Sequence, residues 1–353
     1  MVARRIDATV ASGLSGRPGA GDNRRLLGAT RERWCFMTRE GWLAKHPYLR
    51  SSASSAIAAE DLLTRRMNED LHMPLEQPVP VDTRALFRPV SAGLVTLLRG
   101  LPPEHWDRPT VAGTWVVGDV VAHLLDSTLR RLSFHRDGMT PPSPRRAITS
   151  ERDFIDFIND LNAQWVTSAK RLSPRVLTDL YERASREAAD WYESLPLDAP
   201  ALFPVSWAGE QASAGWFDIG REFTELWHHQ QQIRMAVGAD ALGDPRYLGA
   251  VIDVAIRGLP HAFRDVAAEH GDTVVIDITG ASGGLWTLSR EQRRWTLSRG
   301  EPASVTTRLR LSDETAWRLL FNALPEPEAA QAVDVEGRRE LGRALLRARS
   351  VIV

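Results

Sequence analysis

Residues 223–238 read FTELWHHQQQIRMAVG. Phe223, Leu226, Trp227 and Ile233 recur at helical spacing, and a glutamate, two histidines and three glutamines fill the positions between them. Residues four apart project from one helix face about one turn apart, so Glu225 and His229 form a pair. His228 is rotated by about 100° from His229 and is expected not to reach the same partner. Spacing alone leaves two readings open: a pair of metal ligands, or a polar helix face that happens to contain histidine. Gln230, Gln231 and Gln232 suggest no chemistry of their own and read as such a polar face.

Upstream of this helix the pattern is also helical. TRALFRPVSAGLVTLLRGL (83–101) places Leu86, Val90, Leu94 and Leu97 on one face, and Pro89 must either kink the helix or sit in its first turn. TWVVGDVVAHLLDSTLRRLSFHRDG (114–138) is a second helix, with Thr114 expected as N-cap and Gly138 as stop. SERDFIDFINDLNAQWVTSAKRL (150–172) opens with a Ser-x-x-Asp start and carries Phe154, Phe157, Ile158, Leu161 and Trp165 as its apolar positions. SPRVLTDLYERASREAADWYESL (173–195) has Pro174 placed for a first turn. Long amphipathic helices joined by Pro/Gly loops make residues 80–240 a helical bundle.

Residues 244–353 differ. A helix over 247–271 is followed by DTVVIDITG, GLWTLSREQRRWTLSRG and SVTTRLRLS, which alternate apolar with polar between Gly turns and read as a small antiparallel sheet. DETAWRLLFNAL and GRRELGRALLRARSV end the chain as helices. The expectation is a smaller α+β domain.

Residues 1–72 show no sustained periodicity. ASGLSGRPGAGDNRR and RSSASSAIAAED are rich in Gly, Ser, Ala and Arg, a composition that buries too little apolar surface to offset its ordering entropy. They read as a disordered extension, with a short helix near Ser55–Arg66 and alternative starts at Met67 and Met73.

Over all 353 residues the formal net charge is −1, with 43% hydrophobic and 25% charged residues, the balance of a soluble globular protein. That charge argues against a broad surface for nucleic acid or anionic membrane. Cys35 is the one cysteine, so an internal disulfide and a cysteine-based zinc site are excluded and a cytoplasmic setting is expected. Gly-rich phosphate loops, Gly-x-Ser-x-Gly elbows and His-Glu-x-x-His motifs do not occur. Asp126, three residues after His123, reads as an ordinary exposed acid or a partner of that histidine. The tryptophans, Trp106, Trp115, Trp165, Trp207, Trp216 and Trp227 among them, read as core and loop anchors.

His123 lies mid-helix in VVAHLLD, among apolar neighbours. A helical bundle builds metal sites from such residues on facing helices, and two histidines with one carboxylate suit zinc or a similar divalent ion.

GTWVVGDVVAHLLD and FDIGREFTELWHHQQQIRMAVG resemble two motifs of the mycothiol-dependent maleylpyruvate isomerase metal-binding domain family, in the DinB-like superfamily. The resemblance implies a four-helix-type bundle, a sterol-carrier-like C-terminal domain, and a divalent metal, usually zinc, on His123, Glu225 and His229. It implies a low-molecular-weight thiol such as mycothiol as cofactor, and isomerisation or S-transfer on a small electrophilic substrate. The alternatives are a non-catalytic metal- or ligand-binding protein and a metal-dependent hydrolase. The family often carries an arginine near its aspartate, where this chain has Thr114 and Gly118 in the corresponding stretch, which weakens the case for maleylpyruvate itself.

Overall fold

The computed structural model describes residues 75–144 and 146–351. The expected disorder of residues 1–72 lies outside them.

Among the described residues the bundle region holds five α-helices: α1 (Phe87–Gly100), α2 (Val117–Arg130), α3 (Glu151–Ala169), α4 (Pro174–Ser194) and α5 (Gly215–Val237). α1 packs on α4 and α5, and α2 packs on α3, α4 and α5. α1, α2, α4 and α5 thus form a four-helix bundle, flanked by α3. Pro89 falls in the first turn of α1, where its missing N–H costs nothing. Ser150 and Ser173 cap α3 and α4 by accepting from the Asp153 and Val176 amides at 3.1 and 3.4 Å. Pro174 occupies the first position of α4.

Two local expectations need correction. Thr114 does not cap α2; the helix begins after Val116, whose N–H donates to the Asp119 carboxylate (3.3 Å). The helix also does not continue evenly to Gly138. After Arg130 it widens into a π turn over Arg131–Arg136, and Gly138 follows at φ +70°.

The remainder runs α6 (Pro245–Ala255), the short α7 (Leu259–Ala262), β1 (Thr273–Thr279), β2 (Gly284–Arg290), β3 (Trp295–Arg299), β4 (Thr307–Ser312), α8 (Asp313–Leu320), α9 (Glu326–Ala332), β5 (Asp334–Gly337) and α10 (Arg339–Arg347). The single helix expected over 247–271 is therefore split by a 3-10 turn at Ile256–Gly258 and ends before Phe263. The five-stranded sheet has order β3-β2-β1-β4-β5 and is mixed, because β1 and β4 pair in parallel. Alternation fixes which face a side chain takes but not the direction of a neighbouring strand. Val274, Ile276, Ile278, Trp286, Leu288 and Leu309 bury one face of the sheet, with Ile276 opposite Trp286 and Leu309 in register.

One hydrophobic core runs from the bundle into the sheet region. Trp227 on α5 meets Trp317 on α8 edge to face at 5.3 Å, and α6 packs between α5 and α8. Among the described residues, no helix is long and apolar enough to cross a membrane.

Candidate metal centre and its cleft

α2 and α5 pack directly on each other, and this contact brings His123 against the Glu225–His229 face. One ligand atom from each of His123, Glu225 and His229 lies within 4.8 Å of the other two. The two imidazole rings meet edge to face, centroids 4.7 Å apart, and His229 Nε2 is 3.4 Å from a Glu225 oxygen. Both histidines are buried, while Glu225 is partly open to the cleft.

The donor set fits a divalent ion on grounds internal to the site. His123 Nδ1 is buried and has no hydrogen-bond partner in the protein, a costly arrangement unless something else occupies its lone pair or proton. His229 Nδ1 lies 2.7 Å from Gln232 Oε1. The amide oxygen can only accept, so Nδ1 donates to it and Nε2 is the ring nitrogen turned toward Glu225. Burial drives the His123 imidazole well below its ordinary pKa, with His229 adding to the effect, so it is neutral. Burial pushes Glu225 upward, but His228, His229 and His123 more than offset this and hold it below the usual carboxylate range. The His123 imidazole and the Glu225 carboxylate are thus already in the protonation states that ligation requires, and His229 presents Nε2 beside them.

His228 stands apart from this set. Its Nδ1 donates to the Thr224 carbonyl (2.8 Å), and its ring stacks on Phe321 at 5.0 Å. Burial first, then His229, lowers it to about 3.

The three glutamines are not a solvated polar face. Gln230, Gln231 and Gln232 are all buried, because α5 is enclosed on nearly every side. Gln231 Oε1 accepts from the Leu242 amide (2.9 Å) and Gln232 orients His229. With its amide turned to satisfy both ends, Gln230 donates to Val90 O and accepts from Leu94 N of α1 (3.1 and 3.2 Å). Buried amides of this kind must be fully paired.

Asp126 is likewise not an exposed acid. It is partly buried and bridges Arg130 (3.1 Å), and burial raises its pKa although Arg130 opposes the shift. Trp115, an anchor by sequence, packs its indole 5.1 Å from the His123 ring and 6.4 Å from that of His229. Trp165 Nε1 donates to Ala122 O (2.9 Å) and ties α3 to the turn that carries His123.

A buried charge network beside His123, Glu225 and His229 has no counterpart in the sequence reading. Arg131, the first residue of the π turn, makes a bidentate bridge to Asp218 (2.8 and 2.9 Å) and also contacts Glu222. Arg221 pairs with the same two carboxylates. His135 Nε2 accepts from Arg131 (2.6 Å), and burial followed by the Arg131 charge lowers its pKa to about 4. Burial disfavours the Arg131 charge, but Glu222 and Asp218 more than restore it. π turns are rare and concentrate at functional sites. The signal was present on α5: Asp218, Glu222, Glu225, His229 and Gln232 follow one another at steps of three and four, hence on one face.

His123, Glu225 and His229, together with Trp115, Gln232 and the Arg131, Arg221 and Glu222 part of the network, line one cleft of about 1380 Å³. Phe321, Asn322 and Val351 of the C-terminal region form part of its wall. Asn322, at φ 56°, is the one non-glycine residue in the left-handed region among the described residues, a conformation that asparagine tolerates.

No curated protein matches the chain. Two solved structures are similar over 72% of this chain and 91% of theirs, each at 13% identity. They are the mycothiol-dependent maleylpyruvate isomerase, at a TM-score of 0.42, and a histidine-to-alanine mutant of it, at 0.43. Residues 87–234 match the model of the family described as mycothiol maleylpyruvate isomerase N-terminal domain, a span that contains α1 to α4 and most of α5 with His123, Glu225 and His229. The helical part of this chain is thus similar to the mycothiol maleylpyruvate isomerase N-terminal domain.

Proposed function

We propose that His123, Glu225 and His229 hold one divalent ion, zinc by the nature of the donors, and that the protein uses it with a low-molecular-weight thiol such as mycothiol. The reaction class is isomerisation of, or S-transfer to, a small electrophilic substrate. The observation that carries this reading is the convergence of three ligand atoms beside an open cleft, with no fourth His, Cys, Asp or Glu in the cluster among the described residues. Structural zinc sites are closed by four protein ligands, whereas catalytic ones keep a position open. Bound there, the ion would supply a Lewis-acid position that lowers the pKa of a thiol or water.

The chain's own residues prepare that position. Gln232 fixes the tautomer of His229, and Glu225 brings a negative charge without first losing a proton. Trp115 sets its indole beside both imidazoles. In this reading the sulfur comes from the thiol cofactor. The thiol would supply a nucleophile for an electrophilic substrate, giving isomerisation where it leaves again and S-transfer where it stays.

The test is turnover of a panel of activated alkenes with added thiol, followed by substrate absorbance and by free thiol. The zinc-loaded protein should accelerate loss of at least one substrate, and His123→Ala, Glu225→Gln and His229→Ala should each remove metal and rate together. Full metal occupancy without thiol-dependent turnover on any member of the panel would reduce the protein to a metal-binding module.

A further inference from the structure

We infer that the cleft above the candidate metal centre takes a neutral, bulky, apolar electrophile, preferably aromatic, and not a small dicarboxylate. This rests on the proposed function for the thiol chemistry, but the shape and charge of the cleft carry it independently.

The first observation is the pairing of its cations. Three arginines line the cleft, Arg130, Arg131 and Arg221, against three glutamates, Glu210, Glu222 and Glu225. Each arginine is already engaged: Arg131 and Arg221 by Asp218 and Glu222, and Arg130 by Asp126 and by Asn162 Oδ1 (2.9 Å). A dianion entering here would have to displace a carboxylate from a buried bidentate arginine, or face the glutamates with only the metal to balance it. Recognition works by complementary potential, and like charges brought together reject a ligand. Among the described residues, the cleft offers no unpaired guanidinium to a carboxylate.

The second observation is the wall. Phe154, Phe157 and Ile158 of α3 line the cleft, together with Phe134, Phe203 and Phe321. The α3 residues sit at helical spacing on its apolar face yet remain only half-buried, because α3 packs chiefly on α2. An apolar ridge facing an open cleft gains by covering itself with apolar ligand surface, about 25 cal/mol for each Å² removed from water. At about 1380 Å³ the cleft exceeds the roughly 300–1,000 Å³ of ordinary ligand sites, which leaves room for a thiol cofactor and a sizeable co-substrate together.

The test needs no turnover, so it fails or succeeds separately from the thiol reading. The full zinc-loaded chain is titrated with the neutral fluorophore N-phenyl-1-naphthylamine, and metal content is measured on the same samples. Saturable binding of one probe per chain is expected, undisturbed by millimolar maleate. Phe157→Asp and Phe203→Asp, on separate elements and both partly open to solvent, should each weaken it at least about tenfold, the scale of one lost aromatic contact. Thermal melting identifies a variant that fails to fold, and the other then decides. Absence of saturable binding, displacement by maleate at or below the probe concentration, or unchanged affinity in a folded Asp variant would each overturn the inference.

Discussion

His229 Nε2 lies 3.4 Å from Glu225 Oε2, one turn back along α5, while the adjacent His228 turns its Nδ1 to the Thr224 carbonyl. Two neighbouring histidines are thereby given different tasks by helical geometry alone. His229→Ala should abolish stoichiometric metal binding, and His228→Ala should retain it. Metal analysis after dialysis measures both. Equal losses would mean that His228 shares the ion.

Gln232 matters through His229, whose Nδ1 it holds at 2.7 Å. Partners that orient a ligating histidine are worth about 10–100-fold in metal affinity. Gln232→Ala should weaken zinc by that order in a chelator competition. Gln231→Ala removes only the tie to the Leu242 amide and should change zinc affinity little. An equal effect of the two would assign Gln232 a merely structural part.

Arg131 is buried with two carboxylates around it. Replacing it with Met leaves Asp218 and Glu222 short of a cation, and breaking a buried pair from one side costs about 3–5 kcal/mol. Arg131→Lys keeps the charge without the fork and should fall between wild type and Met. Urea unfolding gives the numbers. A Met variant within about 0.5 kcal/mol of wild type would behave as a surface substitution and contradict the network's burial.

Acid should unfold the metal-free protein early. His123, His135 and His228 are held neutral by burial, the last two to about 4 and about 3, whereas in the unfolded chain they protonate near 6.5. Between those limits the unfolded state binds more protons, so stability is fully present above about pH 6.5 and falls as pH drops below it. The slope is at most about 1.4 kcal/mol per pH unit for each histidine. Urea midpoints in the presence of a chelator should be level from pH 8 to 7 and decline from 6.5 to 5. A level profile down to pH 5 would show these rings to be solvated.

Much of the bundle is legible in the chain because its signals are local. Ser150, Ser173, Pro89 and Pro174 mark helix starts by their own hydrogen-bonding or missing N–H, and Gly238, at φ +70°, ends α5 in the left-handed conformation. Glu225 and His229 follow from helical period. That His123 lies beside them depends on the packing of α2 on α5, which no local pattern contains, and the motif resemblance supplied that link. The parallel β1–β4 pair and the four-residue β5 stayed hidden because alternation carries no strand direction and a short edge strand has little pattern to offer. The Arg131 network joins segments 87 residues apart in sequence, and its arginines look like any others in an arginine-rich chain. The burial of Gln230–Gln232 was equally invisible, since enclosure of α5 on all sides is a tertiary fact.

The central claim is that His123, Glu225 and His229 bind one divalent ion that keeps an exchangeable position. X-ray absorption at the zinc edge, on protein with metal content quantified, tests it most directly. The expected result is one zinc per chain with nitrogen and oxygen ligands at about 2.0–2.2 Å, two of them imidazoles, and a new sulfur ligand at about 2.3 Å when thiol is added. Substoichiometric metal after zinc is supplied, a sphere closed by four protein ligands, or a spectrum unaltered in His123→Ala would contradict it.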